Sequence, residues 1–166
     1  MHLFEANAPD DMESAASVIP VLDLSDYLAG KEGVLDVLAG ELRRACTEVG
    51  FFYIAGHGID PELITATFEQ SKRFHALPLE TKLKLPQDAN NIGYLPMNAS
   101  IQRHSTVHKA TRPNQNASFF ISHDRAPDHP DVVANKPYRG ANQWPDDLPG
   151  FRETVMSYFN ALDQLG

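Results

Sequence analysis

Ile19-Pro20-Val21-Leu22-Asp23-Leu24 and, further on, Gly50-Phe51-Phe52-Tyr53-Ile54-Ala55-Gly56-His57-Gly58 are the stretches on which the fold turns. Val18 to Leu24 is apolar and rich in β-branched residues, and Asp23-Leu24-Ser25-Asp26 supplies stop and turn signals, so a short buried strand is expected there. Phe51 to Ala55 reads as a second strand, cut off by Gly56 and Gly58. Between them, Leu35, Leu38, Leu42, Ala45/Cys46 and Val49 fall at helical spacing from Lys31 to Val49, and Gly50 stands where a helix-ending glycine belongs.

Working outward, Asp60-Pro61-Glu62 is a helix start, with Asp as cap, Pro at the first helical position and an acid beside the positive end of the dipole. Ile64, Phe68, Ser71 and Phe74/His75 are expected on one face of a helix running to Ala76. A further short helix is expected over Leu79–Leu85. Residues 86–116 are rich in Asn, Pro and Ser and carry no periodic run, which is the composition of a functional loop or of disorder. Ala117–Ser122 reads as a strand, and residues 124–149 as an irregular, proline-rich connector. From Gly150 a helix is expected with Phe151, Val155, Phe159 and Leu162 on its apolar face. Strands and helices in this order predict an α+β fold, with helices packed on a few short strands.

The 166 residues fall in the range of one domain, and 42% hydrophobic content permits a packed core. A net charge of −8, from 22 acids against 14 bases, argues against nonspecific nucleic-acid binding. One cysteine, Cys46, excludes an intrachain disulfide and cysteine-rich zinc sites. It lies on the apolar face of the first helix and is expected to be a small buried hydrophobe. No apolar run has the length of a membrane span. Residues 1–17 carry acids and no Lys or Arg, unlike a signal peptide, so they read as a disordered acidic tail on a cytoplasmic protein.

Several segments together resemble the isopenicillin-N-synthase-like, 2-oxoglutarate- and Fe(II)-dependent oxygenases, in their N-terminal (non-haem dioxygenase N-terminal) region. They are Ile19 to Leu24, Ala45-Cys46-Thr47-Glu48-Val49-Gly50-Phe51-Phe52, Gly56-His57-Gly58-Ile59, Leu77-Pro78-Leu79-Glu80-Thr81-Lys82, Gly93-Tyr94, Asp124-Arg125-Ala126-Pro127, Asn142-Gln143-Trp144-Pro145 and Leu148-Pro149-Gly150-Phe151-Arg152. The chain departs from the pattern at Ala55-Gly56, where the family often has Asn, and at Phe74-His75-Ala76, where it often has two aromatics before Leu-Pro.

The resemblance implies a division into an N-terminal domain over 18–122 and, over 123–166, a connector and the start of a long helix. That helix would lead into a jelly-roll domain, the double-stranded β-helix, most of which these residues lack. In the family, iron is held there by a His-x-Asp pair and a later His, and an Arg-x-Ser pair binds 2-oxoglutarate. His129-Pro130-Asp131 and Arg103-His104-Ser105 match these strings, but no histidine follows Asp131 and the two matches stand in reverse order. No catalytic or metal-binding residue is therefore expected. The expected cofactors, Fe(II) and 2-oxoglutarate, belong to the complete enzyme, and this chain alone is expected to be inactive. His57 is expected to hold backbone at the strand end.

Between Asp88 and Asp124 there is no acid, while Arg103, Lys109 and Arg112 are present. By resemblance the segment borders the active-site mouth, so Tyr94, Arg103 and Arg112 are the expected contacts to a polar or anionic small-molecule substrate. The alternative is a free-standing binding or oligomerisation module from a truncated gene, which pairs with itself or a partner, self-association running through the apolar face of the C-terminal helix.

Overall fold

The computed structural model describes residues 19–101 and 111–166. It forms two compact units, one ending at Ile59 and one beginning at Asp60. The acidic tail and Arg103 lie outside the described residues.

In the first unit, β1 (Val21–Asp23) pairs in parallel with β2 (Tyr53–Ala55), Leu22 facing Ile54 in register. Parallel pairing needs a long crossover. Here it consists of α1 (Ser25–Leu28), α2 (Val34–Arg44) and one widened helical turn over Ala45–Val49. The single helix expected over Lys31–Val49 is thus interrupted at both ends. Gly33, with φ 78°, delays its start, and after Arg44 the hydrogen bonds lengthen to the five-residue step by which the Gly50 N–H reaches Ala45 O at 2.9 Å. A widened turn shifts the angular register of the residues beyond it. Ala45 is consequently the buried residue, and Cys46, expected inside, is exposed. Leu35 and Leu42 are exposed as well.

Gly56 has φ 59°, and a Cβ there would lie 2.0 Å from Ser25 Oγ and 2.4 Å from Asp23 Oδ1. Only glycine lets the chain leaving β2 pass this close to the turn leaving β1. His57 then closes the next turn, its Nδ1 accepting from the Ile59 N–H at 3.0 Å.

In the second unit, α3 (Pro61–Ala76) starts as its sequence dictates, with the Asp60 carboxylate accepting from the Glu62 N–H at 2.8 Å. Its covered positions are Leu63, Ile64, Thr67, Gln70 and Phe74; of the expected face Ile64 and Phe74 are covered, while Phe68 is 65% exposed. A short α4 (Leu79–Lys82) follows. Lys82 is buried, and its ammonium donates to the His75 carbonyl at 2.7 Å, which satisfies a carbonyl in the last turn of α3. The antiparallel pair β3 (Gly93–Leu95) and β4 (Ser118–Phe120) sets Tyr94 opposite Phe119. After a one-turn α5 (Pro130–Val133), α6 (Phe151–Leu165) packs along α3.

Phe74, Tyr94, Leu148 and Phe151 form the core of this unit, with Leu77, Leu85, Phe119, Trp144 and Val155 around it. Cover along α6 thins toward its end: Phe151 is buried, Val155 packs against the core, and Leu162 is exposed. The architecture is α+β with a few short strands and no closed barrel among the described residues.

Candidate functional site

Tyr94 is placed by three separate devices. Its N–H donates to Leu85 O at 2.7 Å, and its carbonyl accepts from the Gln87 N–H at 3.0 Å. Its ring is 4% exposed, meets the edge of Phe74 at 5.9 Å, and has the Lys82 ammonium 5.6 Å from its centroid. The aromatic body of the expected contact residue is therefore part of the core. Gly93 before it has φ 116°, and a Cβ there would lie 2.6 Å from Pro86 O.

Arg112 is exposed on the stretch leading into β4. Two residues on, Asn114 braces that stretch against the one leaving β3. Its N–H donates to Ser100 O at 2.8 Å, its carbonyl accepts from the Asn98 N–H at 3.0 Å, and its amide reaches Ser100 Oγ at 3.1 Å. Tyr94 and Arg112 thus sit on neighbouring, mutually braced segments. His104 and His108 fall with Arg103 outside the described residues.

The Asn142-Gln143-Trp144 sequence has a bracing role that its residue types alone do not announce. Asn142 clamps Ser122, accepting from its N–H and donating to its carbonyl, both at 2.8 Å. Gln143 Nε2 donates to Pro86 O at 2.8 Å and Ile92 O at 2.9 Å, closing the turn that precedes Tyr94. Trp144 meets Phe151 edge-on at 6.1 Å and lies 5.8 Å from the Arg152 guanidinium. Arg152 in turn pairs with Asp124. Three consecutive side chains thereby tie three different segments together. Amide spacing carries no pattern that marks this in advance.

The His-x-Asp match is spent locally. His129 Nδ1 accepts from the Asp131 N–H at 3.2 Å and caps α5, while the Asp131 carboxylate pairs with Lys136. That hydrogen bond to Lys136 holds the Asp131 carboxyl below its usual range, with lesser help from the charges of Lys136, His129 and Arg139. Among the described residues no group of three or more His, Cys, Asp or Glu is arranged to hold a metal ion. The described residues do not by themselves fit Fe(II). His75, at the end of α3, has its imidazole pKa pushed down by partial burial and then by the Lys82 charge. Among the described residues, no helix is long and apolar enough to cross a membrane.

Comparison with known proteins places this arrangement. Residues 19–147 match the family described as non-haem dioxygenase in morphine synthesis N-terminal. A 2-oxoglutarate-Fe(II) type oxidoreductase of Aspergillus fumigatus is 37% identical over 151 residues, covering 88% of this chain and 43% of the relative. One from Emericella nidulans is 33% identical over 156 residues, covering 91% and 43%. Among solved structures, a full-length Neurospora crassa protein in complex with alpha-KG and thymine superposes with a TM-score of 0.68 at 25% identity, over 89% of this chain and 44% of that one. A Caulobacter crescentus protein of the 2OG-Fe(II) oxygenase family shares the fold, with a TM-score of 0.69 at 24% identity. The chain spans less than half the length of each. With most of its residues matched and both units retained in the match, the chain belongs to the non-haem dioxygenase N-terminal family.

Proposed function

We propose that these residues form the N-terminal region of a 2-oxoglutarate- and Fe(II)-dependent oxygenase that oxidises a small molecule. The observation that carries this is the 37% identity to the Aspergillus fumigatus oxidoreductase across 88% of the chain. In such an enzyme iron with 2-oxoglutarate supplies the oxidising chemistry. This chain's own residues supply a rigid aromatic support and a substrate-facing surface. Because no histidine follows His129 and the described residues do not fit the metal, the 166 residues alone do not turn over 2-oxoglutarate. Anaerobic titration with Fe(II) and 2-oxoglutarate tests this; a stoichiometric, 2-oxoglutarate-dependent iron site on the chain overturns it.

Substrate contact is assigned to the segment that carries Arg103 and Arg112, with the buried Tyr94 as its support. The acid-free stretch between Asp88 and Asp124 and the exposure of Arg112 support this. In a complete enzyme carrying residues 19–147, reversing Arg103 and Arg112 to Glu raises KM for a polar or anionic substrate and leaves kcat in place. An unchanged KM removes the assignment.

A second reading, a binding module that associates with itself, has one observation in its favour. Val21, Phe51 and Tyr53 lie exposed around the two-stranded parallel sheet, and parallel sheets are ordinarily covered on both faces. Leu162 adds an exposed apolar residue on α6. Light scattering after size exclusion decides it, since a clean monomer at high concentration rules the module out.

A further inference from the structure

We infer that the outer edge of β4 is a docking edge for β4 of a second copy of this chain, the two strands pairing antiparallel about Phe119. Such docking presupposes the self-association proposed above and gives it a surface distinct from the parallel sheet and from α6. β3 is used on both sides. Tyr94 bonds away from β4, its N–H donating to Leu85 O at 2.7 Å and its carbonyl accepting from the Gln87 N–H at 3.0 Å. Gly93 and Leu95 therefore face β4, opposite Phe120 and Ser118. Tyr94 and Phe119 stand opposite each other without exchanging hydrogen bonds, so the Phe119 N–H and carbonyl point away from β3. Backbone direction alternates along a strand, and Ala117 and Ile121 share that outward orientation. Ser122, of the other parity, has its N–H and carbonyl taken by Asn142, which continues the inner side where β3 has ended. Among the described residues nothing pairs with the outward groups of Phe119 and Ile121.

Proteins blunt an open edge with Lys, Pro, a bulge or a covering element. Ala117–Ser122 has no charged residue, no Pro and no Gly, and it carries two Phe and an Ile, the composition of a strand that pairs with its own copies. Apolar surface flanks the edge on both faces. A crevice of about 170 Å³ lined by Phe119, Ile121 and Val155 opens between β4 and the helices, and Phe120 on the opposite face is 39% exposed. Charge selects the occupant. The chain carries −8, so two copies repel wherever acids meet. No acid stands between Asp88 and Asp124, and β4 lies inside that stretch. A two-fold axis sets the same patch against itself, and an uncharged strand brings no like charges together. Phe119 is the middle residue of β4. An axis beside it sets Ser118 of each copy opposite Phe120 of the other, and Ala117 opposite Ile121.

The test uses the whole chain. Light scattering after size exclusion should show one chain giving way to two as concentration rises, and amide exchange at Phe119 and Ile121 should slow over the same range. S118K/F120K sets Lys against Lys in both cross-strand pairs and should weaken dimerisation about ten-fold. S118K/F120E sets Lys against Glu and should restore it. Unchanged Trp144 emission shows that the variants are folded. Y53K and L162K alter the other exposed apolar surfaces and should leave the dimer in place. A dimer that Y53K or L162K breaks and S118K/F120K spares would keep the self-association and overturn this edge as its site. A chain that stays monomeric at every concentration would overturn both. S118K/F120E as weak as S118K/F120K would overturn the pairing, and so would Phe119 and Ile121 amides equally protected at every concentration, as a strand of the same molecule would protect them.

Discussion

Phe74 of α3 and Phe151 of α6 stack with ring centroids 5.4 Å apart and planes 27° from parallel, while Phe119 meets both, at 4.4 and 5.7 Å. Phe74 is 1% exposed, so its neighbours have no solvent-side route by which to collapse into the space it would leave. Phe74→Ala should cost about 3–5 kcal/mol and Phe74→Leu clearly less. Trp144, the chain's one tryptophan, sits against Phe151 and reports the transition in urea through its fluorescence. Equal midpoints for F74A and the parent would show that the stack does not hold the unit together.

Gly30 and Gly56 both have positive φ, but a Cβ on Gly30 meets open space and one on Gly56 meets Ser25 and Asp23. Gly30→Ala should cost about 1–2 kcal/mol, the left-handed penalty alone. Gly56→Ala should cost a further ~1–3 kcal/mol, because the turn leaving β1 must shift. Hydrogen exchange at the β1–β2 amides distinguishes them; identical losses would mean that the close approach is not a constraint.

His75 gives the second unit a pH dependence of definite sign. Its folded-state pKa lies below the ordinary imidazole value, through burial first and the Lys82 charge second. The unfolded chain therefore binds the proton more readily, and stability falls as pH drops through the ordinary imidazole range. Because the ring is largely exposed the slope is shallow. Denaturation midpoints between pH 8 and 5 should decline less in His75→Gln than in the parent. Lys82→Met removes one cause of the shift and also the bond to His75 O, costing about 1–3 kcal/mol at pH 8.

Asn142→Ala strips the clamp from Ser122 and should cost about 1–3 kcal/mol. Asn142→Asp keeps the acceptor for the Ser122 N–H, yet turns a carboxylate toward Ser122 O and toward Asp124, which is 3.4 Å from the Asn142 amide. It should therefore fail to rescue. Thermal melts of the two variants are the check, and an N142D midpoint matching the parent would show that the donor half of the clamp is idle.

Local chemistry is legible in the chain, and long-range closure is not. Asp60-Pro61 announces a helix start by cap and proline geometry, and the Asp60 side chain makes that bond. Cys46 defies expectation because ideal periodicity assumes one turn size throughout, and the widened turn at Ala45–Val49 breaks it. Phe68 stands beside the covered Thr67, which with the covered Gln70 is polar and invisible to a hydrophobic pattern. Tyr94 is expected only as a substrate contact, because residues 86–116 lack the periodicity that would announce its packing against Phe74, and the turn before it is closed by Gln143, far along the chain.

The widened turn has a practical consequence. By turning Cys46 outward it leaves the first unit with the molecule's single thiol, exposed to reagents, while the second unit holds the single indole. A dye on Cys46 reports on the first unit and the emission of Trp144 on the second. Each unit can be watched separately in solution without a single substitution.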